Sequence, residues 1–95
     1  MRRPVGLLEA LERKFIWEKG VVIPDRDPAM WRQDIFGHTM YFPDYGDRAS
    51  PYGWEKDHIH PKALGGSDDL ANFRPLHFKN NAGLGGILGS LLRDI

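Results

Sequence analysis

Asp57 and His58 stand side by side, and Asn81 follows 24 positions after Asp57. An unperturbed imidazole titrates near pH ~6.5, so His58 reads as a group that can take a proton from water at neutral pH. Asp57 offers a hard anionic oxygen and Asn81 a neutral amide oxygen, a pair that suits Mg²⁺ or another oxygen-preferring ion such as Mn²⁺. A base, a cation and ligands that leave the cation open are what hydrolysis of a phosphodiester requires. Neighbours on a strand point to opposite faces. Asp57 and His58 therefore serve one site only if the strand is twisted or bulged there, or if metal and water lie at its edge.

The elements that must position these groups follow from periodicity. Trp54 to Ile59 reads as a strand, Pro61 and the turn Gly65-Gly66-Ser67 interrupt it, a second strand runs from Phe73 to Leu76, and a helix begins near His77. Upstream, Leu7, Leu8, Leu11, Phe15 and Ile16 recur at helical spacing between Val5 and Lys19, with Pro4 in the first turn and Gly20 as the stop. That helix is expected to dock on the core through this apolar face. Residues 21–53 hold four prolines and three glycines, which excludes long elements and leaves one short strand at Thr39 to Phe42. Their aromatic residues, Trp31, Tyr41, Phe42, Tyr45 and Tyr52 among them, are read as core rather than base-stacking rings, because a short chain depends on burying large side chains. After Gly83, Ile87, Leu88, Leu91 and Leu92 fit a second small amphipathic helix.

The expected division is thus an N-terminal helix over 1–22, a loop-rich aromatic lead-in over 23–53, a core over 54–86 and an apolar tail over 87–95. With 95 residues one domain is the most the chain supports, of α+β class. Thirteen basic residues balance thirteen acidic ones, so no overall positive field draws in a polyanion, and any basic surface is local. The absence of cysteine removes disulfides, thiolate zinc sites and cysteine nucleophiles. The apolar stretch after Arg2 and Arg3 is broken at Glu9 and Glu12, too early for a signal-peptide core, and no run reaches the ~20 apolar residues of a membrane helix. A cytoplasmic chain without membrane partners is expected.

Asp57-His58-Ile59-His60-Pro61, then Gly65-Gly66, Asn72 and Leu76-His77-Phe78-Lys79-Asn80-Asn81 resemble the HNH endonuclease motif in its Asp-His, Asn, Asn form. Asn72 lies 15 positions after Asp57, and this spacing looks like that of the nicking HNH domain of RNA-guided nucleases. Tyr45-Gly46-Asp47-Arg48 and Tyr52-Gly53-Trp54-Glu55 resemble the lead-in of small phage and bacterial HNH proteins. The resemblance spans about residues 30–86. It implies a ββα-metal core, a two-stranded hairpin packed on a helix, and a metal-dependent DNA endonuclease or nickase. It makes His58 the general base and Asp57 and Asn81 the ligands of a single divalent ion. Asn72 would brace the loop that orients His58, and cleavage would leave 5′-phosphate and 3′-hydroxyl ends.

Two departures from the pattern matter. Many relatives carry Cys at the positions of His77 and Asn80, where a structural zinc binds, so no such zinc is expected here. His77 and His60 are then supporting groups, with a hydrogen-bonded role for His77 at the helix start; His38 has no companion residues. The family also often has a basic residue two to four positions after the last Asn, where this chain has Gly83, Leu84 and Gly85. Lys56, Lys62, Arg74 and Lys79 remain as phosphate contacts, or as ordinary solvated surface. Two rivals follow: a catalytically weak or inactive HNH-derived module that works through a protein partner, and a toxin-like nuclease that docks or self-associates through residues 84–95.

Overall fold

The computed structural model describes residues 6–81, which form an α+β fold of one helix and two antiparallel sheets. Helix α1 is Leu7–Trp17. The strands are β1 (Val21–Val22), β2 (Trp31–Gln33), β3 (Thr39–Tyr41), β4 (Trp54–His58) and β5 (Phe73–His77). β1, β2 and β3 make the first sheet in that order, and β4 pairs with β5 in the second. The tail helix expected after Gly83 lies outside the described residues.

The lead-in is more regular than its prolines suggest. It holds three short strands rather than the single one expected at Thr39 to Phe42. Pro24 and Pro28 lie in the connection between β1 and β2, where a missing amide hydrogen costs no ladder bond. In the hairpin, β5 runs one residue further than expected, through His77, and residues 78–81 are helical. Pro75 is tolerated inside β5 because a two-stranded sheet leaves every strand an outer edge.

Trp17 and Trp54 hold the core together, with ring centroids 5.0 Å apart. Phe42 meets Trp17 edge-on at 5.4 Å and Tyr45 meets Trp54 at 4.8 Å, while Ile16, Met40 and Phe73 complete the cluster. Both indoles stay satisfied: Trp17 Nε1 donates to Pro28 O at 2.9 Å and Trp54 Nε1 to Phe42 O at 3.0 Å. Each ring is therefore tied to the lead-in as well as buried. Fully burying side chains of this kind stabilises by about 1.5–3 kcal/mol each.

Helix α1 docks through a face other than the expected one. Ile16 and Trp17 are buried, but Leu7 is 78% exposed, Leu11 56% and Phe15 51%, with Leu8 also exposed. At ~100° per residue, Leu7, Leu8, Leu11 and Phe15 lie together on the side away from Ile16 and Trp17. The bulkier pair at the C-terminal end wins the core contact because it meets the ring of Trp54. Lys19 then fastens that end to the hairpin, donating to Phe73 O at 2.7 Å and to Leu70 O.

A buried carboxylate joins the two sheets. Asp34, 2% exposed, accepts through Oδ1 from the amides of Phe36 and His38, and through Oδ2 from the His77 amide at 3.0 Å and Asn80 Nδ2 at 2.7 Å. Four bonds offset the cost of removing its charge from water. The knot thereby fixes the end of β5, where the residues leading to Asn81 begin.

Candidate functional site

Register decides how the four motif residues stand to one another. The β4–β5 ladder is regular: Trp54 lies opposite His77, Asp57 opposite Arg74 and His58 opposite Phe73, with no residue bulged out. Alternation then sends Trp54, Lys56 and His58 to one face and Glu55 and Asp57 to the other. The His58 ring accordingly packs on Phe73, 4.6 Å between centroids, and Lys56 Nζ lies 4.8 Å from the same ring. No bulge places Asp57 and His58 on one face, which leaves the strand edge as the place where both could act.

On the second face, Asp57 Oδ2 accepts from Arg74 Nε at 3.0 Å. Asn81 joins this face, its Nδ2 donating to Glu55 Oε1 at 2.8 Å. Glu55 in turn accepts both guanidinium bonds of Arg48, each 2.8 Å. The Arg48 hydrogen bond, against the opposing effect of burial, holds the Glu55 carboxyl below its ordinary range. Since Asn81 spends its amide nitrogen on Glu55, its Oδ1 is available for a cation. Asp57 and Asn81 are thus held by different partners, Arg74 and Glu55; a carboxylate and an amide oxygen are donor types that suit Mg²⁺, which binds through few protein oxygens and keeps several waters. Among the described residues no group of three or more His, Cys, Asp or Glu is arranged to hold a metal ion.

On the first face, His58 Nε2 lies 2.8 Å from Asp68 Oδ1, and Lys62 Nζ lies 3.0 Å from the other oxygen of that carboxylate. The His58 hydrogen bond, followed by that of Lys62, holds the Asp68 carboxyl below its usual range. Asp68 carries no sequence signal of its own. It reaches His58 because the intervening loop folds back on itself.

Asn72 makes that fold. Its Oδ1 accepts from the His60 amide at 2.8 Å, and its Nδ2 donates to His60 O at 3.1 Å and to Ser67 O at 2.7 Å. The backbone adds a bond from the Ile59 amide to Asn72 O at 2.8 Å. Gly66 passes so close to the other side of the loop that a Cβ would stand 1.8 Å from His60 O, and Gly65 has φ +95°. Only glycine fits the first position, and glycine is the residue that adopts the second without strain. The Gly-Gly pair and Asn72 are two parts of one closure.

The remaining histidines are structural in their contacts. His77 Nδ1 accepts from the Lys79 amide at 3.1 Å, so Nε2 carries the proton and donates to Pro51 O at 2.8 Å. It is a buried, hydrogen-bonded residue that ends β5 and directly precedes the helical residues 78–81, whose Lys79 amide donates to it. His38, which had no companion in the sequence, accepts from Asn80 Nδ2 at 2.8 Å and lies 5.2 Å from the His77 ring. His60 Nε2 sits 3.0 Å from Leu64 O, and it is the His60 backbone that Asn72 holds. Of the four basic residues read as phosphate contacts, Arg74 and Lys62 are paired with Asp57 and Asp68, Lys56 lies over Phe73, and Lys79 is exposed.

Comparison with known proteins finds no matching family model, no matching curated protein and no matching solved structure. Among the described residues no helix is long and apolar enough to cross a membrane.

Proposed function

We propose that this chain is a metal-dependent endonuclease or nickase of the HNH type, acting on the phosphodiester bonds of DNA. The observation that carries the reading is the loop closure: Asn72 and Gly66 together fold residues 59–72 so that a carboxylate meets His58 at the end of β4. An asparagine bound to three backbone groups and a glycine that tolerates no side chain are costly constraints for a loop that only connects two strands. They acquire a purpose if His58 has to be held.

In this reading His58 takes a proton from the attacking water, and the bond that breaks joins phosphorus to the 3′ oxygen, leaving a 5′-phosphate. Asp57 and Asn81 are the residues that would hold a divalent ion. When bound, Mg²⁺ or Mn²⁺ supplies charge to neutralise the phosphate and its leaving oxygen. Of the four basic residues read as phosphate contacts, Lys56 and Lys79 form no salt bridge among the described residues, and they meet neighbouring phosphates.

A second reading has its own observation. Asp57 is neutralised by Arg74 and Glu55 by Arg48, which is the arrangement of a module that binds a partner without cutting. Nicking of supercoiled plasmid in low salt separates the two. Cutting that needs Mg²⁺ or Mn²⁺, stops with EDTA and is lost in His58→Ala supports the nuclease; a folded parent protein that cuts with neither ion selects the binding module.

A further inference from the structure

His58 is held from both sides. Phe73 packs against its ring, and a single polar side chain, Asp68, meets its Nε2. Asp68 is itself 61% exposed in its side chain, while His58 is 27% exposed, so the carboxylate approaches from solvent and covers the imidazole's outer nitrogen. Lys62 holds the second carboxylate oxygen and keeps the group turned toward the ring. Asp68 sits next to Ser67, the residue whose carbonyl Asn72 anchors.

We infer that Asp68 is the positioning residue of the site: it accepts the Nε2 proton of His58 and so leaves Nδ1 as the nitrogen that receives a proton from water. The assignment rests on the nuclease reading for its purpose, but its physical content is independent of that reading. A neutral imidazole has one N–H and one lone pair, and the partner of one nitrogen decides the role of the other. A carboxylate can only accept, so with Asp68 at 2.8 Å the proton lies on Nε2. The lone pair is then on Nδ1, which carries no hydrogen bond among the described residues. Asn72 and Gly66 act one step further back. They close the loop that brings Asp68 to the ring, which links the glycine turn and the middle asparagine to the base without either touching substrate.

Two variants and two readouts test this. Asp68→Ala removes the acceptor; Asp68→Asn keeps an amide oxygen that can accept the same proton. The tautomer is read from the imidazole ¹⁵N shifts of His58 in the metal-free protein at mildly alkaline pH, and the rate from plasmid nicking with Mg²⁺. The expected pattern is the Nε2–H form in the parent and in Asp68→Asn, and mixed tautomers in Asp68→Ala. The alanine variant should lose about 10- to 100-fold in kcat, as removal of a supporting group around a catalytic centre typically does, with KM for DNA unchanged. Asp68→Asn should recover most of that rate. An unchanged tautomer in Asp68→Ala overturns the inference whatever happens to the rate, and so does an undiminished rate beside a cutting parent. A parent that holds the Nε2–H form yet never cuts overturns the nuclease reading instead, and with it the catalytic use of this contact.

Discussion

Arg74 Nε lies 3.0 Å from Asp57 Oδ2, directly across the hairpin ladder. The guanidinium is thus the counter-charge of the carboxylate that the proposed metal needs, and a cation at Asp57 has to displace or share it. Both side chains are about four-fifths buried, so the pair is less screened than one in open solvent. Arg74→Ala should therefore tighten Mn²⁺ binding, by about threefold if the lost competition is worth ~0.6 kcal/mol, a mid-range value for a partly exposed pair. Calorimetric titration of the variant checks this. Weaker binding would mean that Asp57 needs Arg74 to hold its position.

Asn72→Ala removes three hydrogen bonds to the backbone of the loop. The expected loss in folding free energy is about 1–3 kcal/mol, since exposed backbone groups can turn to water for part of the compensation. Hydrogen exchange at the His60 amide should speed up more than exchange in β2 or β3. Equal acceleration everywhere would show that Asn72 supports the whole fold rather than the loop.

Asp34→Ala and Leu11→Ser probe the knot and the helix in opposite senses. The first leaves four donors around a buried position without their acceptor and should cost about 3–5 kcal/mol, enough to unfold a domain of this size under mild denaturant. The second replaces a leucine that is 56% exposed and should change stability by less than about 0.5 kcal/mol. Urea unfolding of the two variants distinguishes them. A large loss in Leu11→Ser would show that the exposed stripe of α1 is covered in solution.

Asp68 has a carboxyl held below its ordinary value by His58 and, after it, Lys62. Its folded form therefore takes up a proton less readily than its unfolded form. The resulting stabilisation is fully present above the unfolded carboxylate range and disappears as pH falls through the depressed value. In Asp68→Asn the loss of stability below pH ~4 should be shallower than in the parent, and thermal unfolding across that range measures it. Parallel curves would mean that the carboxylate has no folded-state partner in solution.

The hairpin and the groups on it were legible because their signals are local. A short run between the turn signals at Gly53 and Pro61 marks β4, a glycine pair marks a turn, and an Asp-His dipeptide with two later asparagines marks the positions at which chemistry can gather. The α+β class followed from the same evidence. Periodicity also found α1, but it could only report an apolar stripe. Whether that stripe or the Ile16–Trp17 side meets the core depends on where Trp54 lies, which is a tertiary fact. β1 and β2 are two and three residues long, and strands so short exist because a neighbour pairs with them. Asp34 and Asp68 are ordinary acidic residues until folding brings them to His77, Asn80 and His58, contacts that span 43, 46 and 10 positions. The sequence by itself determined which residue types are present and that Asp57 and His58 are neighbours on one strand, because both follow from order along the chain. The tertiary structure alone decided which carboxylate faces which base, because loop closure through Asn72 and Gly66 is a relation in space that no local pattern encodes.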